Sequence, residues 1–359
     1  MSAERNQVSR ARRVVVKIGS RTLAGDRAVY DRLAEALAGA QKQGRAVVLV
    51  SSGAIALGTK KLGYRSRPKE MARLQAAAAA GQSVLMRYYE EAFGARGVPV
   101  AQVLLSHADL ADRVRGNNAR AALSALLDAG AVPILNENDS VAVEEIKFGD
   151  NDQLSAMVTP LVDADLLILL SDVEGLLDGE GTRVKVVRDV AREAVPLVRT
   201  GTSSVGTGGM GSKIEAARRA TLAGANVVVA DARTPGIVES VLAGEDVGTL
   251  FVAANKRLSA KKHWIAFTLR PRGDVVLDRG AAEAVRAKGK SVLPVGVLGV
   301  RGDFRVGDAV RVLDPDGQDL GRGLARYGAS DAVAVAGKAG DALSEDHAIL
   351  IHRDELVVW

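Results

Sequence analysis

At 359 residues, 47% of them hydrophobic and 25% charged, the chain has the composition of a globular protein and exceeds what one hydrophobic core usually organises, so two domains are expected. It has no cysteine, which excludes disulfides, thiolate catalysis and cysteine-ligated metals. The net charge of +5 is uneven: 11 basic and 14 acidic residues from Gly273 onward leave −3 there and +8 on residues 1 to 272, a surplus that suits anionic substrates at least as well as nucleic acid.

Residues 1 to 10 read as a tail. MSAERNQVSRARR lacks the apolar core of a signal peptide, and no apolar run approaches the roughly 18 residues of a membrane span, so a cytoplasmic location with no membrane partner is expected. RVVVKIG, residues 13 to 19, is a β-branched run bounded by glycine and reads as a buried parallel strand whose carboxyl end carries Lys17. An apolar strand normally excludes lysine, so Lys17 either snorkels to the edge or serves a ligand.

DRAVYDRLAEALAGAQKQG has helical apolar spacing and stops at Gly44, after which RAVVLV reads as a second strand. It runs into SSGAIALG, where Ser51, Ser52 and Gly53 offer hydroxyls and backbone N–H groups at a helix start; serine N-capping explains them equally well and is compatible with substrate binding. A long alanine-rich helix, KEMARLQAAAAAGQSVLMRYYEEAFGARG, follows. VPVAQVLL is the third strand, NNARAALSALLDAG a helix and VPILN the fourth strand.

The fourth strand empties into the densest polar stretch of the chain, residues 136 to 156, where Asn136, Glu137, Asn138 and Asp139 precede FGDND, and Asn151 and Asp152 lead into a helix. Helix-start acids can serve the macrodipole and capping alone. So many amides and carboxylates in one crevice loop favour recognition of an amino group or a metal. ADLLILLSDVEGLLDG reads as a buried strand ending in Ser171 and Asp172, a pair that can face a nucleotide, and TRVKVVRDV as part of a hairpin.

Residues 206 to 213, GTGGMGSK, form a glycine loop that delivers Lys213 at the start of an alanine-rich helix. Bare N–H groups, the positive helix end and a lysine make a phosphate-handling device. It is not a P-loop: the lysine does not directly follow the last glycine, and no hydroxyl residue follows the lysine. A surface loop capped by Ser212 is the plain alternative. NVVVAD and TPGIVESVLAG add a strand and a helix, and GTLFVA is expected to close the sheet.

The alternation predicts an α/β fold: a three-layer α/β/α sandwich with a mainly parallel sheet over residues 11–258 and ligands at the carboxyl ends of the strands. Past Lys256 the pattern changes. Residues 259–272 read as a linker, and residues 273–359, with short strands DVVLD, SVLPVGV, DAVRVLDPDG and HAILIH and one helix, GAAEAVRAKG, read as a small β-barrel-like domain. Within the larger domain, Lys17 and Lys213 each lie beside glycine with Asp152 between them in sequence. An aspartate between two lysines would aim them while they neutralise a transferring phosphoryl group, chemistry that rests on positioning and electrostatics and needs no covalent nucleophile.

In this order and spacing, VVVKIGS, VSSGAIALG, NENDSV, KFGDNDQLSA, LLSDVEGLL and GTGGMGSKIEAA resemble the amino acid kinase family, in particular its members that act on glutamate, and the segment from about Gly273 resembles a PUA domain. The resemblance implies ATP-dependent phosphorylation of the side-chain carboxylate of L-glutamate to L-glutamate 5-phosphate, the first step of proline biosynthesis. It further implies Mg2+ with ATP, proline as inhibitor, a homo-oligomer, and a glutamate-5-phosphate reductase acting downstream. By position, Lys17 and Lys213 match phosphate-stabilising lysines and Asp152 the aspartate that organises them. Ser52, Asp139 and Asn151 match glutamate-binding positions. Ser171 and Asp172 match ATP-binding positions, together with Lys17 and the loop Thr207, Gly208, Gly209, Met210, Gly211, Ser212 and Lys213. Ser171 stands where many relatives have threonine, and the metal ligands stay open. Competing readings are a family member acting on N-acetylglutamate, aspartate or UMP, or an RNA-binding PUA protein. The acidic, aromatic-poor C-terminal segment argues against nucleic acid.

Overall fold

The computed structural model describes residues 2–141, 151–200, 209–255, 257–339 and 348–359, and the chain divides into two compact units, Met1–Arg257 and Leu258–Trp359. In the first unit the strands are β1 (Arg13–Ile18), β2 (Ala46–Ser51), β3 (Val100–Leu105), β4 (Val132–Glu137), β5 (Leu166–Ser171), β6 (Val186–Val187), β7 (Asn226–Asp231) and β8 (Thr249–Phe251). They form one sheet in the order β3-β4-β2-β1-β5-β7-β8-β6. The six strands from β3 to β7 in that order are parallel, β8 runs antiparallel to β7, and β6 pairs parallel with β8. GTLFVA therefore does not close the sheet. Val186–Val187 takes the edge, and two residues are too few for a period-2 pattern to show in sequence. The expected hairpin is short and precedes it: the Val184 N–H bonds the Leu176 carbonyl at 2.8 Å and the Asp178 N–H the Thr182 carbonyl at 2.9 Å, around an antiparallel bridge between Leu177 and Arg183.

The helices that cover the sheet are α1 (Ala3–Ser9), α2 (Ala28–Lys42), α3 (Ala54–Lys61), α4 (Met71–Gly94), α5 (Arg113–Asp128), α6 (Asn151–Leu161), α7 (Met210–Leu222) and α8 (Ile237–Leu242). Alternation along each buried strand divides the apolar side chains between two layers. Val14, Val16 and Ile18 pack with Leu33, Leu37, Leu85, Phe93 and Val241 on the side of α2, α4 and α8. Val15 packs with Leu123, Leu154, Val158 and Ile214 on the side of α5, α6 and α7. The segment read as a tail holds α1, whose buried Arg5 guanidinium donates to the carbonyls of Val247, Lys185 and Gly248, and whose Val8 is fully buried.

The second unit has a five-stranded sheet in the order β10-β9-β11-β12-β13, formed by β9 (Gly273–Leu277), β10 (Val297–Gly302), β11 (Ala309–Leu313), β12 (Asp319–Leu324) and β13 (Leu356–Val358). Only the pairing of β9 with β11 is parallel. Val275, Val285, Val310, Val312, Phe304 and Leu350 form its core. Four sequence expectations change here: SVLPVGV holds a 3-10 turn at Pro294–Gly296 ahead of β10, and a second helix, Ala329–Val335, forms besides GAAEAVRAKG. In HAILIH, Ile351 makes only an isolated bridge to Val292, and the last strand is LVV farther on. The segment 259–272 is helical from Ala260 to Thr268, with Ile265, Ala266 and Phe267 buried and the Arg322 guanidinium donating to the Ala266 carbonyl at 2.9 Å. Its clustered bases suggested a linker, but its apolar run packs into the second unit.

Candidate active site

Lys17 is the fifth residue of β1, in register with Val50 of β2 and Leu169 of β5. Period-2 alternation points it to the same layer as Val15, toward α6 and α7, where an unpaired ammonium would be costly. The first turn of α6 supplies the counter-charge. Asp152 is fully buried, with Oδ1 at 2.5 Å from Lys17 Nζ and Oδ2 at 3.1 Å from Lys213 Nζ. Lys213 itself lies in the first turn of α7 and is 5% exposed.

One carboxylate thus holds two buried ammonium groups from two elements that are 196 positions apart in sequence. Burial alone would push the Asp152 carboxyl up, but the attraction of Lys17 and Lys213 and their hydrogen bonds outweigh it and hold it below the usual carboxylate range. With the carboxylate charged, the cluster carries a net positive charge at the carboxyl ends of the strands, beside a helix N-terminus. That field favours phosphate.

The start of α7 also corrects an expectation. Gly209, not Ser212, occupies the N-cap position, and no side chain caps the helix there. Ser212 instead donates its hydroxyl to Asp152 Oδ2 at 3.3 Å, and its carbonyl accepts from Gln153 at 3.3 Å, so the loop's last residues are tied to α6. Met210 packs on the apolar layer beneath, and Gly211 lies against Val198. Thr207 and Gly208 lie outside the described residues. Ser171 ends β5 and donates to Asp172 at 3.2 Å; Asp172 in turn is held below its ordinary range chiefly by its bond to Arg21.

A second group of residues gathers one strand away. The Asn151 side-chain amide, buried at the start of α6, reaches the Ser51 carbonyl at 2.9 Å, Ser52 Oγ at 2.8 Å and Asn136 Oδ1 at 3.0 Å. These contacts draw the ends of β2 and β4 onto the helix that carries Asp152. Gly53, at φ 103°, turns the chain from β2 into α3 in the left-handed region that favours glycine. Ser52, Gly53, Asn136, Glu137, Asp139 and Asn151 line a cleft of about 360 Å³. The other lining groups include Ser20, Thr59, Lys60, Tyr64, Arg65 and Arg67.

The structure thus joins Lys17, Asp152, Lys213 and Ser212 in one cluster, and Ser52, Asp139 and Asn151 in an adjoining cleft, with consecutive residues Asn151 and Asp152 linking the two. Sequence reasoning did not single out Tyr89, whose fully buried hydroxyl lies 2.8 Å from Ser51 Oγ, or the basic loop of Arg65 and Arg67. The RSR string after GY was a visible signal for that loop.

The geometry places a net-positive charge cluster beside a polar cleft, both built from residues of the first unit. The model of the amino acid kinase family matches residues 12–231, and that of the PUA domain residues 273–345. The chain belongs to the amino acid kinase family. It is 45% identical to the glutamate 5-kinase of Pelobacter propionicus over 97% of each chain. It is 46% identical to that of Myxococcus xanthus, over 100% of this chain and 99% of the relative, and 44% identical to that of Thermus thermophilus over 97% of each. As a member of this family the chain is a kinase, and its cluster of Lys17, Asp152 and Lys213 lies within the matched residues. Among the described residues no helix is long and apolar enough to cross a membrane.

Proposed function

We propose that the chain catalyses ATP-dependent phosphorylation of the side-chain carboxylate of L-glutamate, giving L-glutamate 5-phosphate and ADP. The observation that carries this reading is the buried Asp152 held between Lys17 and Lys213 next to the cleft of Ser52, Asp139 and Asn151. Its full-length glutamate 5-kinase relatives support the same substrate.

In the proposed reaction glutamate enters the cleft with its α-ammonium toward Asp139 and its 5-carboxylate toward the lysines. A carboxylate is already deprotonated at neutral pH, so no general base is required. Lys17 and Lys213 neutralise charge on the transferring phosphoryl group, and Asp152 aims both ammonium groups without touching substrate. Gly209 to Ser212, at the N-terminus of α7, receive ATP phosphates, with Ser171 and Asp172 on the nucleotide side; Thr207 and Gly208 are proposed there from sequence alone.

Among the described residues no three His, Cys, Asp or Glu side chains converge as ligands for a metal, and Asp152 is engaged by both lysines. This donor set does not make an all-protein magnesium site. We propose that Mg2+ arrives with ATP, held by phosphate oxygens and water. The proposal extends to feedback inhibition by proline, which shares the charged nitrogen and α-carboxylate of glutamate, and to a homo-oligomeric, cytoplasmic enzyme. A glutamate-5-phosphate reductase downstream would consume the acyl phosphate, a product that hydrolyses in water.

The test is ADP release with ATP and magnesium across L-glutamate, aspartate, N-acetylglutamate and UMP. Turnover with glutamate, lost in Lys213→Ala, supports the reading; turnover with another acceptor keeps the kinase and replaces the substrate.

A further inference from the structure

We propose that Lys60, Arg65 and Arg67 form a cationic rim that captures the substrate's α-carboxylate and favours ligands in which that carboxylate is free. This rests on reading the cleft as the amino-acid site.

Charge balance motivates it. At neutral pH glutamate carries one ammonium and two carboxylates. The reacting carboxylate has to face Lys17 and Lys213, and the ammonium has acidic groups to meet in Glu137 and Asp139. A cation at the cleft would offset the hydration that the α-carboxylate loses on entering it, beyond what neutral donors such as Ser52 supply. The basic side chains lining the cleft are Lys60 in the last turn of α3 and Arg65 and Arg67 in the loop that follows. Among the described residues none of the three has a carboxylate partner, whereas most arginines of this unit do.

The loop leaves α3 through a hydrogen-bonded turn. Its first turn is closed by Gly63 N–H to the Lys60 carbonyl at 3.1 Å and Tyr64 N–H to the Thr59 carbonyl at 2.9 Å, with Gly63 at φ 70°. Arg65 and Arg67 alternate along the chain beyond that turn, beside Tyr64, which also lines the cleft. A guanidinium fork matches a carboxylate in two hydrogen bonds, which an ammonium cannot do. The rim residues are exposed, so each contact is screened and the effect comes from the set.

The experiment compares the parent enzyme with the Lys60→Gln, Arg65→Gln, Arg67→Gln triple variant, using L-glutamate and its α-amide as substrates or competing ligands. The rim predicts a KM for glutamate raised about tenfold or more in the variant, near 1.4 kcal/mol, with kcat and the KM for ATP held. The α-amide, which lacks the charge, should bind both proteins equally, so the parent's preference for glutamate shrinks in the variant. A glutamate KM within twofold of the parent, or equal shifts for glutamate and its α-amide, overturns the rim while leaving the kinase reading intact. A parent with no glutamate-dependent ADP release overturns both.

Discussion

Gly58 of α3 and Gly81 of α4 meet backbone to backbone. A Cβ placed on Gly58 would lie 1.7 Å from the Ala77 carbonyl oxygen, and one on Gly81 would lie 1.7 Å from that of Ala54. The contact sets how α3 leaves β2 and therefore where Ser52 and Gly53 meet the cleft. Gly58→Ala cannot be accommodated by a rotamer change, because the obstacle is main chain. It should cost about 2 to 3 kcal/mol and raise the KM for glutamate more than that for ATP. Urea denaturation with parallel kinetics measures both, and an unchanged midpoint would show that the helices can separate freely.

Asp152→Asn keeps volume but leaves the buried Lys17 and Lys213 without their counter-charge. Breaking a buried pair in this way typically costs about 3 to 5 kcal/mol. The same variant should lower kcat by at least about a hundredfold, since the lysines lose their aim. Stopped-flow ADP release and thermal melts read the two effects, and near-parental kcat would remove Asp152 from the machinery.

The depressed Asp152 carboxyl also sets a pH signature. Because its native pKa lies below the unfolded value, its contribution is fully present above about pH 4 and is lost as pH falls through the native pKa. Stability of the parent should therefore drop on acidification below about pH 4, and Asp152→Asn should show a shallower drop over the same range. Denaturant midpoints between pH 3 and 6 make the comparison; parallel curves would mean that other carboxylates control acid unfolding.

Tyr89 has no expected contact with substrate, yet its hydroxyl sits 2.8 Å from Ser51 Oγ, and the Ser51 carbonyl in turn accepts from Asn151. Tyr89→Phe removes one buried hydrogen bond, worth about 1 kcal/mol. We expect a severalfold higher KM for glutamate with kcat and the KM for ATP unchanged, a split that a merely less stable protein would not give. Steady-state kinetics well below the melting temperature decide it.

Lys17→Met and Lys213→Met retain the apolar stem and remove the charge that faces the phosphoryl group. Each should reduce kcat by about 10² to 10³ with little change in the KM for glutamate. Equal losses in KM and none in kcat would assign the lysines to ground-state binding.

Much of this was legible in the chain, and the physical reason is locality. β-branched runs alternating with helical periodicity announce a parallel sheet, because each strand is buried on both faces and each helix on one. Lys17 was conspicuous because a lysine in RVVVKIG breaks the apolar rule of such a strand, and GTGGMGSK because glycine frees backbone N–H groups at a helix start. The edge strand Val186–Val187 and the strand Leu356–Val358 were not legible, being too short to show a period.

What only the tertiary structure decided is which charges meet. Lys17, Asp152 and Lys213 come from a strand and two helices, and their distances follow from the register of β1 against β5 and the packing of α6 against α7, neither of which is written locally. The same holds for Ser212, which looked like a helix cap and instead bonds Asp152, and for Arg65 and Arg67, which the sequence reading did not single out and which line the cleft. The sequence by itself determined the parallel part of the sheet, the family motifs and the kind of charge available. The pairing of those charges came from folding, because burial lets a carboxylate and an ammonium far apart in the chain replace each other's lost water.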